Sequence, residues 1–184
     1  MTGEDVKVEI EQAAGVLVGQ PLLWFGRAAD MAMIHFGVER TYVRNGKPRT
    51  VGDWALHIQC PWRIIRDGEI LVGYSDMRVP PVGIDPEVFD PDESRTRRDD
   101  LTDAFEVHGR QAHLVTMISA TTTADLRLEL ADGCRLEVLP DFASSEADAY
   151  EYWRLFQHGP DMPHFVVSAG QTEWQGSGDQ PGAG

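Results

Sequence analysis

Apolar residues recur along this chain with two different periods. Near the N-terminus Val6, Ile10, Ala13, Ala14 and Leu17 fall three or four apart, the spacing of a single helix face. Thr2 ahead of Asp5 forms a capping pair, and Gly15 and Gly19 offer places to stop. The pattern predicts an N-terminal helix, against a weaker strand-like alternation at Val6, Val8 and Ile10. From Ala29 the period becomes two. Met31, Met33 and His35 share one face and Ala32, Ile34 and Phe36 the other. Asn45-Gly46 marks a hairpin turn, and Trp54, Leu56, Ile58 and Cys60 line one side of the next strand. Pro61 interrupts, Trp62–Ile65 resumes, and Asp67-Gly68 turns into Ile70–Tyr74. This is a β-meander.

A second meander follows. His113–Ile118 is β-patterned, and Leu126, Leu128 and Leu130 alternate with Arg127 and Glu129. Asp132-Gly133 turns, and Cys134–Leu139 returns with Leu136 and Val138 inward. A helical turn is expected at Ser144–Tyr150, then strands at Tyr152–Phe156 and Phe165–Val167, and a disordered tail over 175–184. The halves align as pseudo-repeats of about 27–76 and 122–170. Ala29-Asp30 meets Ala124-Asp125, Trp54 meets Trp153, and Glu69–Gly73 meets His164–Ser168. In that alignment His35 takes the place of Leu130 and His57 that of Phe156, so the first half carries histidines where the second is apolar. Between the halves, residues 77–105 form a Pro-rich acidic connector with no strand or helix pattern. The expected architecture is α+β, mostly β, in one domain over 1–174. Two related antiparallel meanders form a sandwich or partial barrel, with an N-terminal helix.

Charge changes the picture next. The 184 residues hold 30 acids and 16 bases, a formal net charge of -14, with a pI near 4.7. That balance argues against nucleic acid as a partner, because phosphate binding needs the opposite sign. No apolar run reaches the ~20 residues of a membrane span, so no membrane partner is expected. The acidic N-terminus lacks the pattern of a secretory signal, and two cysteines 74 residues apart make no disulfide framework. A cytoplasmic location with reduced thiols is expected.

Candidate chemistry is sparse. There is no Gly-x-Ser-x-Gly elbow, no phosphate-binding glycine loop and no Cys-x-x-Cys pair. His57 and Cys60 lie three apart, on opposite faces of a strand, so they do not chelate together. The expectation is no metal, no cofactor and no catalytic residue. The acids concentrate at Asp85, Glu87, Asp90, Asp92 and Glu93, with Arg95, Arg97 and Arg98 close behind. An acidic face of this kind steers a basic partner. Trp62 and Tyr74 (with Trp174) are candidate aromatic anchors beside it, and His35 and His57 are the candidate small-ligand residues.

The run Leu128–Val138 with Glu151–Leu155, and the string Asp53–Arg63, resemble small uncharacterised actinobacterial domains. The hairpin pattern is similar to that of immunity proteins of toxin systems. The resemblance implies a non-enzymatic cytoplasmic module that binds a protein with a basic surface through its acidic face. The alternative is a small-ligand-binding or hydrolytic site around His35 and His57.

Overall fold

A computed structural model of the chain describes residues 2–44, 46–106, 113–142, 150–159 and 161–176. The helix α1 spans Gly3–Ala14 and is capped as the sequence predicts. The Thr2 hydroxyl accepts the Asp5 N–H at 3.2 Å while the Asp5 carboxylate accepts the Thr2 N–H at 2.8 Å. Its apolar side buries Val6, Ile10, Ala13 and Ala14.

The first half then runs through β1 (Leu22–Ala28), β2 (Met31–Phe36), β3 (Arg40–Arg44), β4 (Lys47–Val51), β5 (Trp54–Ile58), β6 (Trp62–Arg66) and β7 (Glu69–Gly73). After α2 (Arg97–Glu106) come β8 (Val115–Ala120), β9 (Leu126–Leu130), β10 (Arg135–Val138), β11 (Glu151–Gln157), β12 (His164–Ser168) and β13 (Gln171–Gln175). Six strands make one antiparallel sheet in the order β1-β2-β5-β11-β12-β13, and five make a second in the order β7-β6-β10-β9-β8. Ile34, Leu56, Trp153 and Phe165 from the first sheet meet Ile64, Val72, Leu128 and Leu136 from the second in one buried core. Each such side chain contributes roughly 1.5–3 kcal/mol by leaving water. The molecule is a mostly-β sandwich with an N-terminal helix, as its alternating patterns predict. Among the described residues, no helix is long and apolar enough to cross a membrane.

Each half gives three strands to one sheet and then crosses to the other. In the first half β1, β2 and β5 join the first sheet before β6 and β7 join the second. In the second half β8, β9 and β10 join the second sheet before β11 and β12 join the first. Even the bulge recurs. Pairing shifts between Leu22 and Trp24 opposite Phe36 and His35, and between Val115 and Met117 opposite Leu130 and Glu129.

This register revises the residue alignment drawn from sequence. Trp62-Arg63-Ile64, not Trp54, takes the position of Trp153-Arg154-Leu155, because Arg63 pairs with Glu137 as Arg154 pairs with His57. His35 therefore corresponds to Glu129 and His57 to Glu137. The sequence alignment slipped because Trp-x-Leu matches Trp54-Ala55-Leu56 literally while Trp62-Arg63-Ile64 matches it only as Trp-x-aliphatic, and only cross-strand pairing decides between them.

The helices close the open sides. The first packs against β8 and β13, the second against β1 and β7, so each joins an edge of one sheet to an edge of the other. The connector is therefore more ordered than its composition implies. Thr96 caps α2 in a reciprocal pair with Asp99. Arg98, only 2% exposed, donates to the Asp30 carbonyl at 3.2 Å. Arg27 on β1 donates to the Pro91 and Ser94 carbonyls at 3.2 and 2.8 Å and pairs with Asp99 at 3.3 Å. A helix with so few apolar residues shows no periodicity, and these tertiary contacts hold it instead. The last strand, β13, is polar and at an edge, and includes Gln175, where the sequence reading began the tail. The turn expected from Ser144 and the tail beyond 176 fall outside the described residues.

Candidate functional site

The outer face of the six-stranded sheet is the unusual surface. Cross-strand pairing brings Trp24 beside His35, Met33 beside His57, and His57 beside Arg154, with Phe156 next to His164. The Trp24 indole folds back over Gly26, where an added Cβ would lie 2.8 Å from the ring. Trp24 stacks on His35 at 3.8 Å between ring centres and His35 on His158 at 5.1 Å, with planes within 18°. Phe156 stacks on His164 at 4.2 Å, and His57 meets Phe156 edge-on at 4.8 Å.

Strand β4 of the β3–β4 hairpin borders this floor, and the two form an open cleft of about 680 Å³, within the range of small-molecule sites. Trp24, Met33, His35, His57, Phe156 and His158 line it on the sheet side, and Lys47, Arg49, Thr50 and Val51 on the hairpin side. Two residues anchor the hairpin. Gly52 donates its N–H to His35 Nδ1 at 3.2 Å, and a Cβ there would sit 2.4 Å from the Phe36 carbonyl oxygen, so only glycine fits. The Asp53 carboxylate accepts the Val38 N–H at 3.0 Å and pairs with Arg40, while its carbonyl accepts the His158 N–H at 2.8 Å.

Burial sets the chemistry of the imidazoles. His35, 3% exposed, is pushed down to about 3 by burial, with the neighbouring His158 and His57 adding to the effect. Burial and then the Arg154 charge push His57 down to about 4. Burial lowers His158 and His164 as well. All four are neutral near pH 7. Because His35 accepts at Nδ1, its proton sits on Nε2. A base whose conjugate acid has a pKa of 3 or 4 takes up a proton weakly at neutral pH. These rings therefore stack, donate and accept, and are poorly tuned for proton transfer. No group of three or more His, Cys, Asp or Glu side chains among the described residues is placed to hold a metal ion.

The corresponding face of the other sheet is different in kind. There Glu137, 2% exposed, meets Arg63 at 2.7 Å, Arg135 at 2.9 Å and Arg127 at 3.3 Å. Burial alone would raise its carboxyl, but Arg63, with Arg135 and Arg127, outweighs that and leaves the pKa below the usual range. That face satisfies its own charges.

Of the residues singled out by sequence, His35 and His57 share the cleft. Asp85, Glu87, Asp90, Asp92 and Glu93 are exposed on the connector, away from it. Trp62 is 2% exposed and belongs to the core, which removes it as a surface anchor. Tyr74 is half-buried, its hydroxyl donating to Asp30 at 3.2 Å. Sequence reasoning missed Trp24, Phe156 and His158 as partners, and Lys47 and Arg49. Trp24 shares the face of His35 only once β1 is recognised as a strand, and its Leu-Leu-Trp-Phe-Gly run has no alternation to reveal it. Comparison with known proteins adds nothing to this geometry: no family model, curated protein or solved structure matches the chain.

Proposed function

We propose that this chain is a small-ligand-binding protein whose site is the cleft between the outer face of the six-stranded sheet and the β3–β4 hairpin. The carrying observation is the convergence of Trp24, His35, His57, Phe156 and His158 around an open volume of about 680 Å³, at positions where the other sheet is closed by a salt-bridge lattice. Neutral imidazoles with depressed pKa values favour recognition over hydrolysis. A fragment screen on the full chain, read by the NMR signals of the His57 ring and the Met33 methyl, tests this. Hits should move both signals, and a His57→Phe variant should weaken them. Hits that consistently move other regions and leave these two unchanged would remove the reading.

A second reading is favoured by a separate observation. Around the five exposed carboxylates of the connector, Val82, Ile84 and Val88 are also exposed. The Asp85 and Asp90 carboxylates fold the segment by accepting the N–H groups of Glu87 and Asp92 at 3.0 and 2.9 Å. Carboxylates interleaved with aliphatic side chains suit a partner protein with a basic, partly apolar surface, in the manner of an immunity or inhibitor protein. The free, buried Cys60 and Cys134 support a cytoplasmic setting for it. Calorimetric titration with proteins encoded beside this one should find a salt-sensitive complex, lost when the five acids become Asn and Gln. Binding that survives that change would sink this reading.

A further inference from the structure

Charge is distributed unevenly between the cleft and the rest of the molecule. The chain carries 30 acids against 16 bases, yet among the described residues no carboxylate lines the cleft, while Lys47 and Arg49 both do. These two residues lie two apart on β4, so their side chains leave the strand on the same side. Both are exposed and so free of a desolvation cost. Below them the floor is ring-rich. Trp24, His35 and His158 form a near-parallel stack, and Phe156 and His164 form a second with planes 16° apart. His57 contributes an imidazole edge with no hydrogen bond to a protein group among the described residues.

Resting on the cleft reading above, we propose that the ligand is a planar aromatic molecule carrying an anionic group. The ring lies against the aromatic floor and the anion points up to Lys47 and Arg49 on the hairpin. The argument is complementarity on two counts. An aromatic ring packs favourably against other rings, edge-to-face or offset-stacked. In a molecule this acidic, an anion is repelled almost everywhere except where cations gather without carboxylates. A cationic aromatic ligand meets two like charges at the rim, and an aliphatic anion leaves the rings uncovered. The shared chemistry, ring plus anion, covers aromatic carboxylates and mononucleotides alike, and the two differ in where their charge sits relative to the ring.

The test is calorimetric titration of the full chain with naphthoate, its neutral amide, the corresponding naphthylmethylammonium ion, and adenosine monophosphate, each with the Met33 and His57 NMR signals followed. Naphthoate or the nucleotide should bind roughly tenfold more tightly than the amide, more tightly still than the ammonium ion, and should move both signals. Tighter binding by one of the two anions identifies the source. The double variant Lys47→Gln and Arg49→Gln should abolish the preference for the anion while leaving the unfolding midpoint unchanged, since both side chains are exposed. Equal binding of amide and carboxylate with both signals moving would overturn the anionic class and leave the cleft standing as a site. Binding of the anion without those shifts, or with its preference intact in the double variant, would overturn the proposal. If none of the four probes binds at millimolar concentration, the ligand class falls, and the fragment screen decides separately whether the cleft binds anything.

Discussion

At the scale of single residues, charges matter here in proportion to their burial. The chain is acidic, but several of its carboxylates are already engaged. Arg95 bridges Asp100 and Asp103, with side chains roughly half exposed, and such pairs contribute about 1 kcal/mol or less. Glu137 is the opposite case, a buried carboxylate under three guanidinium groups. Replacing it by Gln keeps its shape and removes the charge that holds Arg63, Arg127 and Arg135 together. Since the three arginines are a third to a half exposed, water recovers part of the loss. The expected cost for Glu137→Gln is about 2 kcal/mol, read as a lower urea midpoint at unchanged slope. Asp100→Asn should move the midpoint little. Equal effects would show that burial does not set the weight of these pairs.

At the scale of elements, strands on corresponding sheet positions have taken different work. The outer faces of β9 and β10 carry Arg127, Glu129, Arg135 and Glu137, whereas those of β2 and β5 carry Met33, His35 and His57. The first set neutralises itself and stays closed. The second set has no such internal partner, and a hairpin held by Gly52 and Asp53 borders it instead. Among the described residues the hairpin pairs only with itself, so its attachment depends on a few contacts at its base. The connector helix follows the same logic. Buried Arg98 and the Thr96 cap fasten it, in place of a broad apolar face.

At the scale of the whole molecule, the four imidazoles of the six-stranded sheet tie stability to pH. In the folded state His35 and His57 titrate at about 3 and about 4, against about 6.5 in the unfolded chain. Between those values the unfolded chain binds more protons, so stability falls as pH falls. Each imidazole that stays neutral in the fold while its unfolded counterpart protonates contributes a slope of up to about 1.4 kcal/mol per pH unit, less where it is partly exposed. The urea midpoint should therefore fall steadily from pH 7 to 5, above the range where carboxylates protonate. The double variant His35→Asn and His57→Asn should flatten that decline. A midpoint that is flat over this interval in the unmodified chain would mean that the rings are not held neutral.

The sequence alone determined the helix of residues 3–14, the β-meanders, the mostly-β class and the acidic segment. Those follow from period, capping pairs and turn residues, all of which act over a few positions. It also singled out His35 and His57, through an alignment with Leu130 and Phe156 that the strand pairing replaces. Which residues surround them was decided only by tertiary structure. Trp24 on β1 and Phe156 and His158 at the end of β11 reach the same cleft from two distant parts of the chain, through strand register and the crossing of each half between sheets. A register shift of one residue would turn each of these side chains to the other face. Local pattern fixes which face of a strand is apolar, and cross-strand pairing fixes what stands beside it. A site assembled across β1, β2, β5 and β11 therefore becomes visible only once those strands are laid together.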